Sequence, residues 1–207
     1  MPNRTALVRL LGFFAVLLSC APPEAPFRPN IVLISVDTLR ADRLPTYGYP
    51  YGTAPQIARL AERSVVFDNA YTETVHTLAA HTSLLTGLYP DTHGVILSEH
   101  SLSETVPTLA EMLQTAGYRT GAFVNAGFLG PKYGLSRGFS EYNHLSDIKL
   151  RKKENQVRFG RNASETNALI RKWLIADPSR PFFLFAHYFD VHSDWLDLPY
   201  EAPPRFR

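Results

Sequence analysis

The stretch Pro29-Asn30-Ile31-Val32-Leu33-Ile34-Ser35-Val36-Asp37-Thr38-Leu39-Arg40-Ala41-Asp42 decides how the rest of the chain is read. Six apolar or small residues, mostly β-branched, run without a helical period and stop abruptly at a carboxylate. That pattern suits a strand buried on both faces, and predicts a central strand of a parallel sheet with Asp37 at its exit. Downstream, short apolar runs alternate with segments of helical spacing. Ala54 to Ser64 predicts a helix with Ile57, Leu60 and Ala61 on one face, and Val65-Val66-Phe67 a second short strand. A helix over Leu78 to Thr86 is closed by Gly87, and another over Thr105 to Ala116 has Pro107 near its start, Leu109, Met112 and Leu113 on one face, and Gly117 as its stop. Arg119 to Val124 reads as a strand. Ser164 is placed to cap a helix through Ala176 that carries Leu169, Ile170 and Trp173, and Phe182 to Phe185 opens the last strand. No internal repeat is visible.

This alternation predicts an α/β fold around a mostly parallel central sheet, with helices on both faces and right-handed crossovers. Binding crevices in such sheets lie beyond the carboxyl ends of the strands. Three polar sites follow apolar runs directly and should share that edge: Asp37, Asn125, and the cluster from His187 to His192. Asp37 is suited to hold a divalent cation there, or to cap the turn locally. Thr77 precedes a helix, where a hydroxyl serves either as an N-cap or beside an anion held by free backbone N–H groups. His81 lies one turn onward on the same face. The cluster His187-Tyr188-Phe189-Asp190-Val191-His192-Ser193-Asp194-Trp195 suits metal ligation or donation to a bound anion, or else a polar loop with one buried histidine.

The N-terminus is a different kind of sequence. Arg4 and Arg9 precede the apolar run Leu10 to Leu18, which has the form of a secretory signal over residues 1–19. Leu17-Leu18-Ser19-Cys20 is similar to a bacterial lipoprotein box, which makes Cys20 the expected lipidation site. The other reading is a plain signal or uncleaved anchor with an incidental thiol. Cys20 is the only cysteine, so internal disulfides are excluded, and the proline-rich residues that follow it, to residue 29, read as a tether. Export and a membrane attachment through lipid, facing periplasm or cell surface, follow from that reading. With 21 basic and 19 acidic residues scattered along the chain, composition offers no nucleic-acid surface, and the basic cluster Lys149 to Lys153 reads as a solvated face.

The opening stretch resembles the first strand and first metal aspartate of sulfatases. Thr82-Ser83-Leu84-Leu85-Thr86-Gly87-Leu88-Tyr89-Pro90 with His93-Gly94-Val95 resembles their nucleophile helix and the turn after it. The likeness continues through Gly117 to Thr120, Gly138-Phe139 and His187 to His192. It implies an alkaline-phosphatase-like fold and metal-dependent cleavage of sulfate or phosphate esters, of small molecules or of glycan- or lipid-linked groups. The cation implied is calcium, zinc or manganese. Position by position, the resemblance makes Asp37 a metal ligand and Thr77 both nucleophile and metal ligand. It makes His81 and His192 the catalytic partners, and Asn125 and His187 substrate-binding residues.

Three departures carry consequences. Thr77 stands where sulfatases have the Cys or Ser that is oxidised to formylglycine; a threonine would give a ketone instead, which brings phosphoryl chemistry and phosphotransferases into consideration. Ala79 and Ala80 replace Pro and Ser of the signature, and Thr38 replaces a second aspartate. The downstream Asp-His or Asp-Asn half of the metal site has no match here, so the expectation is an N-terminal part of such a domain, incomplete at the C-terminus. A non-catalytic lipoprotein that keeps the fold as a binding module is the rival from another class.

Overall fold

The computed structural model describes residues 28–145, 151–153, 156–158 and 161–192. Cys20, the signal segment, nearly all of the tether, Lys149 and the end of the last polar cluster from Ser193 lie outside the described residues.

Four strands form a fully parallel sheet: β1 (Ile31–Val36), β2 (Arg119–Val124), β3 (Glu141–His144) and β6 (Phe182–Tyr188), in the order β1-β6-β2-β3. A small antiparallel pair, β4 (Arg151–Lys153) and β5 (Gln156–Arg158), stands apart. The helices are α1 (Pro55–Ala61), α2 (Thr77–Thr86), the one-turn α3 (Pro90–His93), α4 (Leu109–Thr115) and α5 (Ala163–Ala176). Among the described residues, none is long and apolar enough to cross a membrane.

Alternation along β2 and β6 sends side chains to two separate cores. Val124, Phe183 and Phe185 meet Leu78, Leu85 and Ala110 on one face. Phe123, Leu184 and Ala186 meet Ile170, Leu169 and Trp173 of α5 on the other. Helices thus cover both faces, as the alternating pattern implies. The second core requires glycine at 121, because a Cβ there would stand 2.6 Å from the Trp173 ring.

Several expectations are corrected. Among the described residues β1 pairs with β6 alone and so stands at the edge of this four-stranded sheet, where a central position was expected, and Val32 and Ile34 are 51% and 58% exposed. A β-branched run states that the side chains are apolar, not what covers them. Val65 to Phe67 forms no strand and is exposed, since no described neighbour offers it a ladder. Met112 is 51% exposed, while Ala110 is the buried residue of α4. The caps also differ. Thr108 and Glu111 form a capping box at α4, and Asn162 with Glu165 does the same at α5, two residues before the expected cap Ser164. Strand β3 carries only four residues, mostly polar, and its identity comes from pairing with β2 rather than from local pattern.

Candidate functional site

The carboxyl ends of β1, β6 and β2 lie side by side, which brings together residues distant in sequence. The backbone N–H of Asp37 donates to the carbonyl of Tyr188 at 2.9 Å, continuing the β1–β6 ladder one step past the strand. Thr38 then turns the chain away with φ of 57°, a left-handed conformation that a β-branched residue adopts at a cost. This sharp exit leaves the Asp37 side chain pointing along the same face as Ser35, toward the start of α2.

There it meets Thr77. The Thr77 hydroxyl donates to Asp37 Oδ2 at 3.1 Å, across 40 positions of sequence. Thr77 is the first residue of α2 and not its cap; His76 occupies the N-cap position and makes no side-chain capping bond. The first-turn N–H groups of α2 therefore carry no side-chain cap beside the Thr77 hydroxyl. At the other end, Gly87 closes the helix at φ of 72°.

His187 is fully buried at the exit of β6, and its Nε2 stands 3.4 Å from Asp37 Oδ2, outside good hydrogen-bond geometry. Its Nδ1 faces the backbone N–H of Asn125 at 3.5 Å. A nitrogen facing a donor carries no proton, so the ring proton sits on Nε2 and is directed at the carboxylate. Burial alone would raise the Asp37 carboxyl, but His187, the Thr77 hydroxyl and His81 outweigh it and hold the group below its ordinary value.

His81 is buried beneath Thr77. Its Nδ1 lies 2.7 Å from the Thr77 carbonyl and its Nε2 2.9 Å from Ser35 Oγ. Burial first, then the neighbouring His187, push its pKa down from 6.5 to about 4. In this arrangement neither ring nitrogen is left to face a bound anion. Asn125 is likewise tied into the scaffold: its side-chain N–H donates to Thr166 Oγ1 at 2.9 Å, and its carbonyl accepts from Arg161 Nε at 3.2 Å. Arg161 also donates to the Asn143 side chain and to the carbonyls of Val124 and Asn143, joining the exits of β2 and β3. His192 lies on the turn after β6, its ring stacked on Phe189 with centroids 4.1 Å apart. Asp190, in the same turn, accepts from the N–H of Ala163 at 2.7 Å and so fastens that turn to the start of α5.

Asp37 and Thr77 open onto a cavity of about 710 Å³ whose walls include Tyr71, Leu84, Leu88 and Tyr89. A carboxylate oxygen and a hydroxyl oxygen 3.1 Å apart come within a few tenths of an ångström of the spacing on one divalent cation, since neighbouring ligands about 2.0–2.2 Å from a tetrahedral ion stand roughly 3.3–3.6 Å from each other. The donor set is partial. Among the described residues, no group of three or more His, Cys, Asp or Glu side chains is arranged to hold a metal, and His187 Nε2, 3.4 Å from Asp37 Oδ2, is a buried nitrogen without a hydrogen-bond partner.

Ser35 and Arg161 were not apparent from sequence. Ser35 is the one hydroxyl interrupting the apolar run of β1, a signal that local reading absorbs into the strand. Arg161 gives no local signal, because its hydrogen-bond partners lie at the exits of two strands distant in sequence.

The parallel sheet with helices on both faces, with a hydroxyl and a carboxylate joined at its carboxyl edge, has the alkaline-phosphatase-like α/β fold of the solved structures it superposes on. The chain belongs to the sulfatase family, which matches residues 29–207. It is 34% identical over 146 residues to an N-acetylgalactosamine-6-O-sulfatase of Bacteroides thetaiotaomicron, covering 65% of this chain and 29% of that protein. A protein solved in complex with its substrate D-glucosamine-2-N,6-O-disulfate superposes with a TM-score of 0.69 at 21% identity, over 84% of this chain and 36% of the other. The C-terminal periplasmic domain of EcEptC from Escherichia coli, solved in complex with Zn, superposes with a TM-score of 0.62 at 20% identity, over 84% of this chain and 47% of the other. The chain thus spans less than half the length of these relatives.

Proposed function

We propose that the chain carries the nucleophile side of a metal-dependent ester hydrolase of the sulfuric-ester type, acting on a sulfate or phosphate ester of a small molecule or a glycan. The carrying observation is the 3.1 Å approach of Thr77 Oγ1 to Asp37 Oδ2 at the mouth of the cavity. Asp37 and Thr77 are the residues that would hold the cation: calcium, manganese or zinc. A threonine hydroxyl is too weakly acidic to ionise at neutral pH, and a divalent cation bound beside it supplies the missing acidity and stabilises developing charge.

The remaining work falls to residues of the chain. Asp37, held anionic by its neighbours, orients the Thr77 hydroxyl. The uncapped first turn of α2 offers N–H groups to the ester oxygens. His192 is assigned contact with the transferred group from the turn after β6. Thr77 acts as the unmodified hydroxyl, because oxidation of threonine would give a ketone rather than the hydrated aldehyde of formylglycine chemistry. This places phosphate esters beside sulfate esters as substrates. The Bacteroides relative, named for the 6-O-sulfate of N-acetylgalactosamine, supports a sugar-linked ester as the first to try. Export as a lipoprotein, with residues 1–19 as signal, Cys20 lipidated and the domain beginning at residue 30, completes the proposal.

The test uses the full chain, stripped with chelator and resupplied with calcium, manganese or zinc, on 4-nitrophenyl sulfate and phosphate. Turnover that returns with one cation and falls by several orders of magnitude in Thr77→Ala supports the assignment. Equal rates in wild type and Thr77→Ala on every active ester would remove Thr77 from the chemistry. Adding an alcohol acceptor and analysing products separates hydrolysis from transfer.

A further inference from the structure

We propose that Ser35 and His81 form a positioning pair that fastens the first turn of α2 to β1 and so sets the Thr77 hydroxyl beside Asp37. The proposal rests on Thr77 and Asp37 being the reacting and charge-bearing groups, but it concerns two residues that need not touch substrate.

The chemistry of the partners fixes the direction of each bond. A backbone carbonyl only accepts, so the His81 nitrogen 2.7 Å from Thr77 O is the protonated one, Nδ1–H. The uncharged ring then has a lone pair on Nε2, and Ser35 Oγ, 2.9 Å away, must donate to it. The result is one directed chain: Ser35 O–H to His81 Nε2, His81 Nδ1–H to the Thr77 carbonyl.

Three independent features make this chain a tether. His81 is 6% exposed, with its ring edge-on to His187 at 5.0 Å and against Phe185 at 6.1 Å, so the imidazole has no room to turn. The N-terminus of α2 lacks the side-chain cap that orders α4 and α5, so its first turn needs another restraint. Ser35, on β1, and Asp37, one residue past its end, are two positions apart and project from one face. The same strand face therefore grips Thr77 twice, at its carbonyl through Ser35 and His81 and at its hydroxyl through Asp37. Loss of either member of the pair leaves Thr77 joined to this strand by the Asp37 bond alone, and a displacement of about 1 Å at a reacting atom can slow turnover up to about 100-fold.

The test compares wild type, Ser35→Ala, Ser35→Thr and Thr77→Ala as full chains. With ¹⁵N-labelled histidine, NMR of the wild type is expected to show His81 protonated at Nδ1, with a hydrogen-bonded lone pair on Nε2. Ser35→Ala should shift the Nε2 resonance and move the Thr77 methyl signal, and Ser35→Thr should restore both. With 4-nitrophenyl esters and added cation, Ser35→Ala should lower kcat about 10- to 100-fold with KM changed less than about twofold, rescued by Ser35→Thr. A proton on Nε2, or a Thr77 signal indifferent to Ser35→Ala, overturns the pairing, as does an unchanged kcat in that variant. Full activity in Thr77→Ala would instead sink the hydrolase reading, and the NMR arm decides the pairing by itself in that case and wherever the wild type shows no turnover.

Discussion

Thr77 Oγ1 donates to Asp37 Oδ2 at 3.1 Å, joining the start of α2 to the exit of β1. Nearly every functional expectation for this chain reduces to that contact. Asp37→Asn keeps the shape of the side chain and removes its charge, so it separates geometry from cation binding. The expected outcome is loss of divalent-cation binding by at least about tenfold, with a fold unchanged by circular dichroism. Calorimetric titration of the chelator-treated chain with calcium, manganese and zinc measures it. Undiminished affinity for the preferred cation in Asp37→Asn would mean that the carboxylate is not a ligand.

Thr38 sits next to that carboxylate at φ of 57° and is exposed, so its conformation costs energy that side-chain contacts do not visibly return. Asparagine tolerates the left-handed region better than a β-branched residue. Thr38→Asn should therefore raise stability by about 1 kcal/mol, seen as a higher Tm or denaturation midpoint. A drop in Tm would show that the threonine side chain makes a contribution larger than the strain.

Tyr142, on β3, donates its hydroxyl to the Leu129 carbonyl at 2.5 Å, and burial raises its pKa above the ordinary 10.0. A raised acid group favours the folded state while protonated. Its contribution is complete below pH 10 and declines as pH rises from there toward the folded-state pKa. Wild type should lose stability on that alkaline limb. Tyr142→Phe should flatten it, at a cost near neutrality of about 1 kcal/mol for the carbonyl left unpaired. Denaturant melts across pH 8 to 11.5, taken at roughly half-unit steps, compare the two slopes.

The expected lipidation makes a prediction remote from the fold. Cys20→Ala should abolish incorporation of labelled fatty acid and release the chain from the membrane fraction. A variant still labelled and still sedimenting with membranes would rule Cys20 out as the attachment point.

Sequence alone carried the architecture further than the site. Strand β1, the helix closed by Gly87, strand β2 and the helix bearing Leu169, Ile170 and Trp173 all announce themselves through local period and local stops. Alternation of strands with helices then leaves a parallel sheet as the short-connection solution, and places Asp37, Asn125 and His187 on one edge. Val65 to Phe67 shows the limit of that reading: a strand needs a partner, and composition does not supply one.

The residues by themselves determined which segments are apolar, that one helix stops at Gly87, and which polar side chains stand at strand exits, because those features depend on neighbours within a few positions. Tertiary structure alone decided that β1 pairs with β6 among the described residues, that Thr77 bonds to Asp37 rather than capping its helix, and that His81 is held between Ser35 and a backbone carbonyl. Each of these depends on which distant group arrives at bonding distance, and local periodicity holds no record of that arrival.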